Sequence, residues 1–399
     1  LAEVQERLAR SQIYPMIAAQ LGYTRNFTDI EQPVPVYADG NAPSAASGIY
    51  PLEYQEVDVN SDNEFSLGVS VNQKLFDMTV FRALEASSQY TDLTATAYDA
   101  TRQAIITGAK RLFFQVLLLQ EVLTVRESSE ENAYDNYIET QRRLESGLAA
   151  PLELLRAEVN WKITQPDTSQ ARRNLNIAMQ NLKNFAGLTD DVEVVLNGSL
   201  ETVPPLPSFV TENVLTERPD YRVLINERRL RELNLKAEEA KFYPSLSASL
   251  VYGIQAGDDG FDVSDNVDSF TAGITLTVPI FYGGSRFASF SQAQLELVKT
   301  NTRIAITEDD IETELETIRL TLEEADLRLT SARQTLATAE RAYEVSVTSL
   351  ESGLATQLEL KDARVSLERA RLNHLVAAFD YLSAYFDWQL AVGHGDESL

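Results

Sequence analysis

Six consecutive residues occur twice in this chain. Leu144-Glu145-Ser146-Gly147-Leu148-Ala149 returns, shifted by 206 positions, as Leu350-Glu351-Ser352-Gly353-Leu354-Ala355. The same shift carries Leu152-Glu153-Leu154 onto Leu358-Glu359-Leu360, Ala157 onto Ala363, Val159 onto Val365 and Gly187 onto Gly393. Upstream, a shift of 205 carries Phe65, Gly68 and Phe76 onto Phe270, Gly273 and Phe281. Tyr14-Pro15 recurs as Tyr243-Pro244 across a longer connector. Identity of this length points to a tandem duplication, and its period is far too long for a solenoid. Whatever one half folds into, the other half must match.

Each half reads as two strands followed by two helices. Leu246, Ala248, Leu250, Tyr252 and Ile254 alternate with Ser245, Ser247, Ser249, Val251 and Gly253; Phe270, Ala272, Ile274, Leu276 and Val278 alternate with Thr271, Gly273, Thr275 and Thr277. In the first half Phe65, Leu67, Val69 and Val71 alternate with Ser66, Gly68, Ser70 and Asn72, and Ile17, Ala19, Leu21 and Tyr23 give a weaker fourth segment. A period of two is the strand signature. One face is apolar and the other is small and polar.

The helical segments are long. From Ile311 the apolar series runs Leu315, Ile318, Leu322, Ala325, Leu329, Ala332, Leu336, Ala339 and Tyr343. Its counterpart is Ile105, Ala109, Leu112, Val116, Leu119 and Leu123, broken at Arg126 and Glu130 and resumed at Ala133 and Tyr137. Steps alternating between four and three predict a left-handed coiled coil. Segments 81–145 and 286–351 hold no Pro and a single Gly, Gly108. At 1.5 Å per residue, ~65 residues make a rod of roughly 100 Å, too long for a compact domain. Ser-Gly-Leu-Ala at 146–149 and 352–355 then turns the chain into return helices, the first of which Pro166 is expected to kink.

Between the halves, 188–211 with Pro204, Pro205 and Pro207 reads as a connector, followed by one helix over 211–242. Segments 26–64 and 255–269 read as loops joining the strands of each hairpin. The aspartates Asp258, Asp259, Asp262, Asp265 and Asp268 in the second lack regular calcium-loop spacing, so a hydrated loop is expected there.

Composition narrows the function. There are 60 acidic against 34 basic side chains, a net charge of −26 and no cysteine. That charge repels phosphate backbones, so no nucleic-acid partner is expected. Thiol chemistry is excluded, and two histidines leave little for metal or triad sites; no cofactor is expected. His374 reads as packed or interfacial, and Trp161 and Trp388 read as packing. No phosphate loop, nucleophile elbow or paired acids in a pocket-like context is found, so no enzyme is expected. The longest apolar run, Phe113 to Leu123, is broken by Gln115 and Gln120, short of the ~18–20 residues of a spanning helix. The chain starts at Leu1 without a signal peptide, as expected of a processed or trimmed chain.

A physical problem remains. Four strands with one apolar face have no helix to cover it, and a sheet with open edges cannot sit in a bilayer. Four strands also cannot close a wet barrel. Several chains must therefore share one barrel, most simply three chains giving twelve strands. Tyr14, Phe76, Tyr243, Phe281 and Tyr282 at the strand ends suit interfacial girdles.

Glu217-Arg218-Pro219-Asp220-Tyr221, the helix end Ala240-Lys241-Phe242-Tyr243-Pro244-Ser245-Leu246, Leu276-Thr277-Val278-Pro279-Ile280-Phe281-Tyr282-Gly283-Gly284 and the two Ser-Gly-Leu tips resemble the TolC-like outer-membrane efflux protein family. The resemblance covers essentially the whole chain. It implies a mainly α fold with a small β part: a duplicated β-β-α-α layout, four strands per chain in a shared trimeric barrel, and coiled-coil helices forming a periplasmic α-barrel. It implies a homotrimer in outer-membrane lipid, working with a periplasmic adaptor and an inner-membrane transporter as a passive, gated exit duct. The alternative is a soluble periplasmic coiled-coil scaffold or adaptor. The implied segments are a helical piece (1–13), shorter than is usual in the family and so read as truncated, a first β-hairpin with a long outer loop (14–77), a first long helical hairpin (78–187), an equatorial connector and helix (188–242), a second β-hairpin (243–282), a second long helical hairpin (283–393) and a tail (394–399).

The resemblance also implies the sites. Glu359 and Asp362 match an acidic pair of the second repeat that rings the periplasmic entrance, and Glu153 matches the acidic position of the first. Spacing i, i+3 puts Glu359 and Asp362 on one helix face; six carboxylates about a threefold axis favour cations, and like-charge repulsion is expected to raise their pKa values. Leu350 and Ala355 stand where the family can use a closing Tyr and Arg, so closure is expected to rest on helix packing and other pairs. The tips Gly147, Leu148, Ala149, Gly353, Leu354 and Ala355 are expected to dock the adaptor.

Overall fold

The computed structural model of this chain describes residues 2–28, 30–36, 53–58, 60–189, 191–209 and 212–396. The elements are α1 (Ala2–Ser11), β1 (Met16–Arg25), β2 (Glu31–Val36), β3 (Glu53–Asp58), β4 (Asn63–Phe76), α2 (Met78–Glu145), α3 (Pro151–Phe185), α4 (Val214–Glu217), α5 (Pro219–Ala240), β5 (Ser245–Asp258), β6 (Asn266–Thr277), α6 (Ser285–Glu351) and α7 (Gln357–Ala391). The chain divides into two compact units, Leu1–Asp92 with Glu227–Thr300, and Leu93–Asn226 with Asn301–Leu399.

The first unit is built on an antiparallel sheet in the order β1-β4-β5-β6. The four alternating segments fall into register, so that in the middle of the sheet apolar positions line up with one another and mostly small or polar positions with one another. Ile17, Val71, Leu250 and Ala272 form one row; Ala19, Val69, Tyr252 and Phe270 form the next on the same face. Between them, on the opposite face, lie Ala18, Ser70, Val251 and Thr271, then Gln20, Gly68, Gly253 and Ser269. Period-two patterning with matched register is what gives the sheet two unlike faces.

Two loop expectations are corrected here. Within 26–64 the described residues form an antiparallel ribbon, β2 with β3, in the register Glu31↔Asp58 through Val36↔Glu53; residues 37–52 of that loop lie outside the described residues. Pro33 and Pro35 hid the strand from sequence reading. Both fit, because alternate residues of a strand turn their N–H away from the partner, and two prolines spaced by two fall on that side. The loop of 255–269 shrinks to 259–265, since β5 continues to Asp258 and β6 starts at Asn266.

The second unit holds the core. Phe114 and Leu117 of α2, Leu200 of the connector, Val214 of α4, Leu322 and Leu329 of α6, and Tyr381, Leu382, Phe386 and Trp388 of α7 are buried together. The connector is tied down by Tyr381, whose hydroxyl donates to the Pro204 carbonyl at 2.8 Å, and by the edge-on contact of Phe209 with Trp388. The heptad series of α6 points inward: Ile311, Leu315, Leu322, Ala325 and Leu329 are buried. In α2, Val116 and Ala133 are buried, but Ile105, expected in the same seam, is 53% exposed in the protomer. Trp161 packs between Tyr134 and Tyr137. Helix α3 continues through Pro166.

The single helix expected over 211–242 is two. Arg218 is extended (φ −68°, ψ 116°), which ends α4, and Pro219 opens α5 as its first residue. A residue before proline is pushed out of the helical region, and proline is at home in a first turn.

Candidate functional site

Two regions bear on function: the sheet face and the helix-hairpin tips. On the sheet, the apolar face is open. Ile17 is 70% exposed, Leu21 80%, Phe270 70% and Ile274 73%. Such a run of exposed aliphatic and aromatic side chains marks an interface or a lipid contact. Both edges, β1 and β6, lack a partner strand among the described residues. Successive strands alternate in direction, so a β6 edge and the β1 edge of another copy are antiparallel to one another and can pair without breaking the pattern.

At the loop end of this sheet, Asn63 is fully buried. Its amide donates to the carbonyls of Asp258 and Asp259 at 3.3 and 3.1 Å and to that of Gly260. Its carbonyl oxygen accepts from the Tyr23 hydroxyl and the Arg25 guanidinium, both at 2.9 Å. The loop aspartates turn inward on backbone: Asp258 accepts from Gly260 N–H at 2.7 Å and from Asp262 N–H at 3.2 Å, and Asp262 from Ser264 N–H at 2.9 Å. They serve the turn.

The tips are built alike. Gly147 and Gly353 take φ of 72° and 73°, the left-handed conformation that glycine adopts at no steric cost. At the first, Gly147 N–H reaches the Leu144 carbonyl at 2.9 Å and Leu148 N–H the Arg143 carbonyl at 2.7 Å. At the second, Gly353 N–H reaches Leu350 at 3.0 Å and Leu354 N–H reaches Ser349 at 2.8 Å. These are Schellman ends, and they satisfy the last carbonyls of α2 and α6. Leu148 and Leu354 project from them, 71% and 84% exposed; Ala149 and Ala355 are half-buried behind.

Past the turns the repeats differ. Helix α3 starts on Pro151, with Ala150 at the N-cap and no side-chain cap. Helix α7 starts on a capping box: Thr356 Oγ1 accepts from Glu359 N–H while the Glu359 carboxylate accepts from Thr356 N–H. Apolar periodicity does not single out Thr356, although Thr-x-x-Glu before an apolar run is readable in sequence. Glu153 and Glu359 are exposed in the first turns of α3 and α7, and Asp362 is exposed one turn further along α7. The position in α3 equivalent to Asp362 is Arg156, so only the second tip carries two acids. Within the protomer the Glu359 pKa lies below its ordinary value, because Thr356 hydrogen-bonds the charged form. That direction is opposite to the rise expected from a carboxylate ring.

A buried arginine cluster ties this unit together, and no local sequence pattern marks it. The Arg218 side chain is only 8% exposed and forks onto Asp220 at 3.1 and 2.7 Å, reaches Glu314 of α6 at 2.7 Å and donates to the Ala391 carbonyl of α7 at 3.1 Å. Burial disfavours ionised Asp220, but Arg218 outweighs it and holds the pKa down. His374 sits half-buried in α7 with Nδ1 unpartnered, and burial with nearby Arg333 pushes its pKa down. Among the described residues no cluster of His, Asp and Glu is arranged to hold a metal.

The family described as outer membrane efflux protein matches the chain over residues 1–188 and 210–394. Outer membrane protein TolC of Escherichia coli (strain K12) is 22% identical over 84% of this chain and 72% of its own length. Alkaline protease secretion protein AprF of Pseudomonas aeruginosa is 21% identical over 83% of this chain and 70% of its own. The crystal structure of the Campylobacter jejuni CmeC outer membrane channel superposes with a TM-score of 0.77 at 19% identity, covering 100% of this chain and 82% of that one. Matched along nearly its whole length and folded as a two-faced sheet with paired helical hairpins, the chain belongs to the outer membrane efflux protein family and is an outer-membrane channel protein reaching into the periplasm.

Proposed function

We propose that three copies of this chain close one twelve-stranded barrel, and that the resulting duct passes cargo delivered by an inner-membrane transporter through a periplasmic adaptor. The observation that carries this reading is the sheet: one exposed apolar face, one small polar face, and two edges whose directions allow cyclic closure. Twelve strands are enough to leave an aqueous interior lined by the small polar face. The exposed apolar face speaks against a soluble scaffold. Leu148 and Leu354, held out by Gly147 and Gly353, with Ala149 and Ala355 half-buried behind them, supply small and apolar docking points for the adaptor. Glu359 and Asp362, with Glu153 on the neighbouring hairpin, supply a ring of carboxylates at the entrance that admits cations over anions.

The test is assembly and conduction. Extracted in detergent, the protein should run at three times its 44.5 kDa chain mass, and in planar bilayers it should conduct with cation preference. A monomer that stays soluble without detergent would overturn the reading. Placing Trp at Gly147 and Gly353 should abolish pump-dependent export while leaving the trimer intact; intact export would remove the docking role.

A further inference from the structure

We infer that Arg286 and the apolar cluster around it form a headgroup site for anionic phospholipid in the periplasmic leaflet, an inference that rests on the barrel reading above. Four cations near the strand bases are neutralised within their own segments. Arg10 pairs with Glu6, Lys74 with Asp77, Arg82 with Glu85 and Lys241 with Glu238. Arg286 has no such carboxylate among the described residues; its guanidinium lies over the Tyr282 ring, 3.9 Å from the centroid. A guanidinium stacked on an aromatic face keeps its planar fork of donors for a phosphate.

The surroundings fit a lipid. Ile280 is 93% exposed, Phe281 78% and Phe287 66%. They follow directly from Ile274 and Leu276 on the open apolar face of β6, so the greasy strip of the sheet runs on past the strand into the first turn of α6. Phe287 is steadied there by Phe242, with ring centroids 5.2 Å apart. An apolar strip ending in an aromatic pair and an unpaired cation has the profile of a membrane interface, with chains against the strip and a phosphate at the guanidinium. The duplication sharpens the point. At the shift of 205, the position equivalent to Arg286 is Phe81, and the nearby Arg82 is spent on Glu85. At the β4–α2 junction, then, the neighbouring arginine already has a carboxylate, whereas Arg286 at the β6–α6 junction has none among the described residues. In a chain of net charge −26, a lone cation there also offsets repulsion from an anionic leaflet.

The experiment uses the full chain in proteoliposomes with Trp introduced at Phe281, or at Ile274 as a control on the sheet, the signal of the unsubstituted protein being subtracted. Brominated phosphatidylglycerol and brominated phosphatidylcholine serve as quenchers. Phe281→Trp should bind the anionic lipid about fivefold more tightly than the zwitterionic one, the gain expected of one basic side chain at a charged surface. Arg286→Gln should remove the preference without changing quenching by phosphatidylcholine. Equal quenching by both lipids with Arg286 present would overturn the inference. So would an unquenched Phe281→Trp beside a quenched Ile274→Trp, which would mean that another copy of the chain covers the site. An unquenched Ile274→Trp would instead overturn the barrel reading.

Discussion

Thr356 and Glu359 hold one another at the start of α7: the Glu359 carboxylate accepts from Thr356 N–H at 2.7 Å, and Thr356 Oγ1 accepts from Glu359 N–H at 3.3 Å. A residue proposed to meet ions at the entrance therefore also caps the helix that presents it. The first repeat separates these tasks, with Pro151 opening α3 and Glu153 free of the cap. The proposed entrance carboxylate is thus tied to the helix cap at the second tip and not at the first.

Selectivity should follow from that coupling. Glu359→Gln with Asp362→Asn should lower the cation-to-anion permeability ratio severalfold in single-channel recordings, while Glu153→Gln should change it less. Glutamine can still accept from Thr356, so helicity by circular dichroism should hold. Unaltered selectivity in the double variant would remove the ring from the mechanism.

The cap also sets a pH dependence. The Glu359 pKa is depressed below its ordinary 4.5, so the cap's stabilisation is complete above that value and is lost as pH falls through the lower folded-state pKa. Proteolysis at the second tip should therefore accelerate in acid more steeply than at the first, whose Pro151 start does not titrate. Equal acceleration at both tips would show that the cap is not the titrating element.

Arg218→Met should destabilise the second unit by roughly 2–3 kcal/mol. The guanidinium is buried and its loss strands the Ala391 carbonyl, but Asp220 and Glu314 are half-exposed and rehydrate, which keeps the loss toward the low end for a broken buried pair. Thermal unfolding should show a lowered midpoint with the trimer still assembling. Because Arg218 also holds the Asp220 pKa down, the wild-type advantage should be present above the ordinary carboxylate pKa and shrink as pH falls below it.

The parts legible in sequence were those written as a period. Leu67, Val69 and Val71 alternate with Ser66, Gly68 and Ser70, and that alone predicts which face is which; Leu322 and Leu329 recur at coiled-coil spacing, and both are buried. Gly187 and Gly393 were paired by the duplication, and both take positive φ. What stayed hidden depends on partners far along the chain or on a local exception. Pro33 and Pro35 read as loop because a proline's fit in a ribbon depends on which edge it faces. Arg218 read as a family marker, because its partners Glu314 and Ala391 are remote in sequence. Ile105 has the right spacing but is half exposed within the protomer, consistent with a surface that another copy covers.

Asn63 should act on the outer end of the barrel alone. Asn63→Leu keeps the branched shape but strands the Asp258, Asp259 and Gly260 carbonyls, removes the acceptor of the Tyr23 hydroxyl and leaves Arg25 hydrogen-bonded to Asp62 alone. Local destabilisation of about 2 kcal/mol is expected from buried groups left unpaired. Amide exchange should rise in 258–262 and near Arg25, while conductance and trimer yield stay unchanged. Protection equal to wild type at 258–262 would mean the loop is held by its aspartate turns alone.

The four helix-ending glycines should not be equivalent. Gly147, Gly187, Gly353 and Gly393 all take φ between 68° and 87°, so alanine at any of them costs about 1–2 kcal/mol of left-handed strain. At Gly147, Gly187 and Gly353 an added Cβ meets nothing within 4 Å. At Gly393 it would lie 2.7 Å from the Glu217 carbonyl carbon and oxygen and 3.0 Å from the Arg218 nitrogen, backbone atoms that cannot swing aside. Gly393→Ala must therefore push the end of α7 off the α4–α5 junction and disturb Arg218's bond to the Ala391 carbonyl. It should lower the thermal midpoint well beyond the other three, and Arg218→Met should add little on top of it, because both break the same contact. Additive effects in the double variant would show that the two residues stabilise the unit separately.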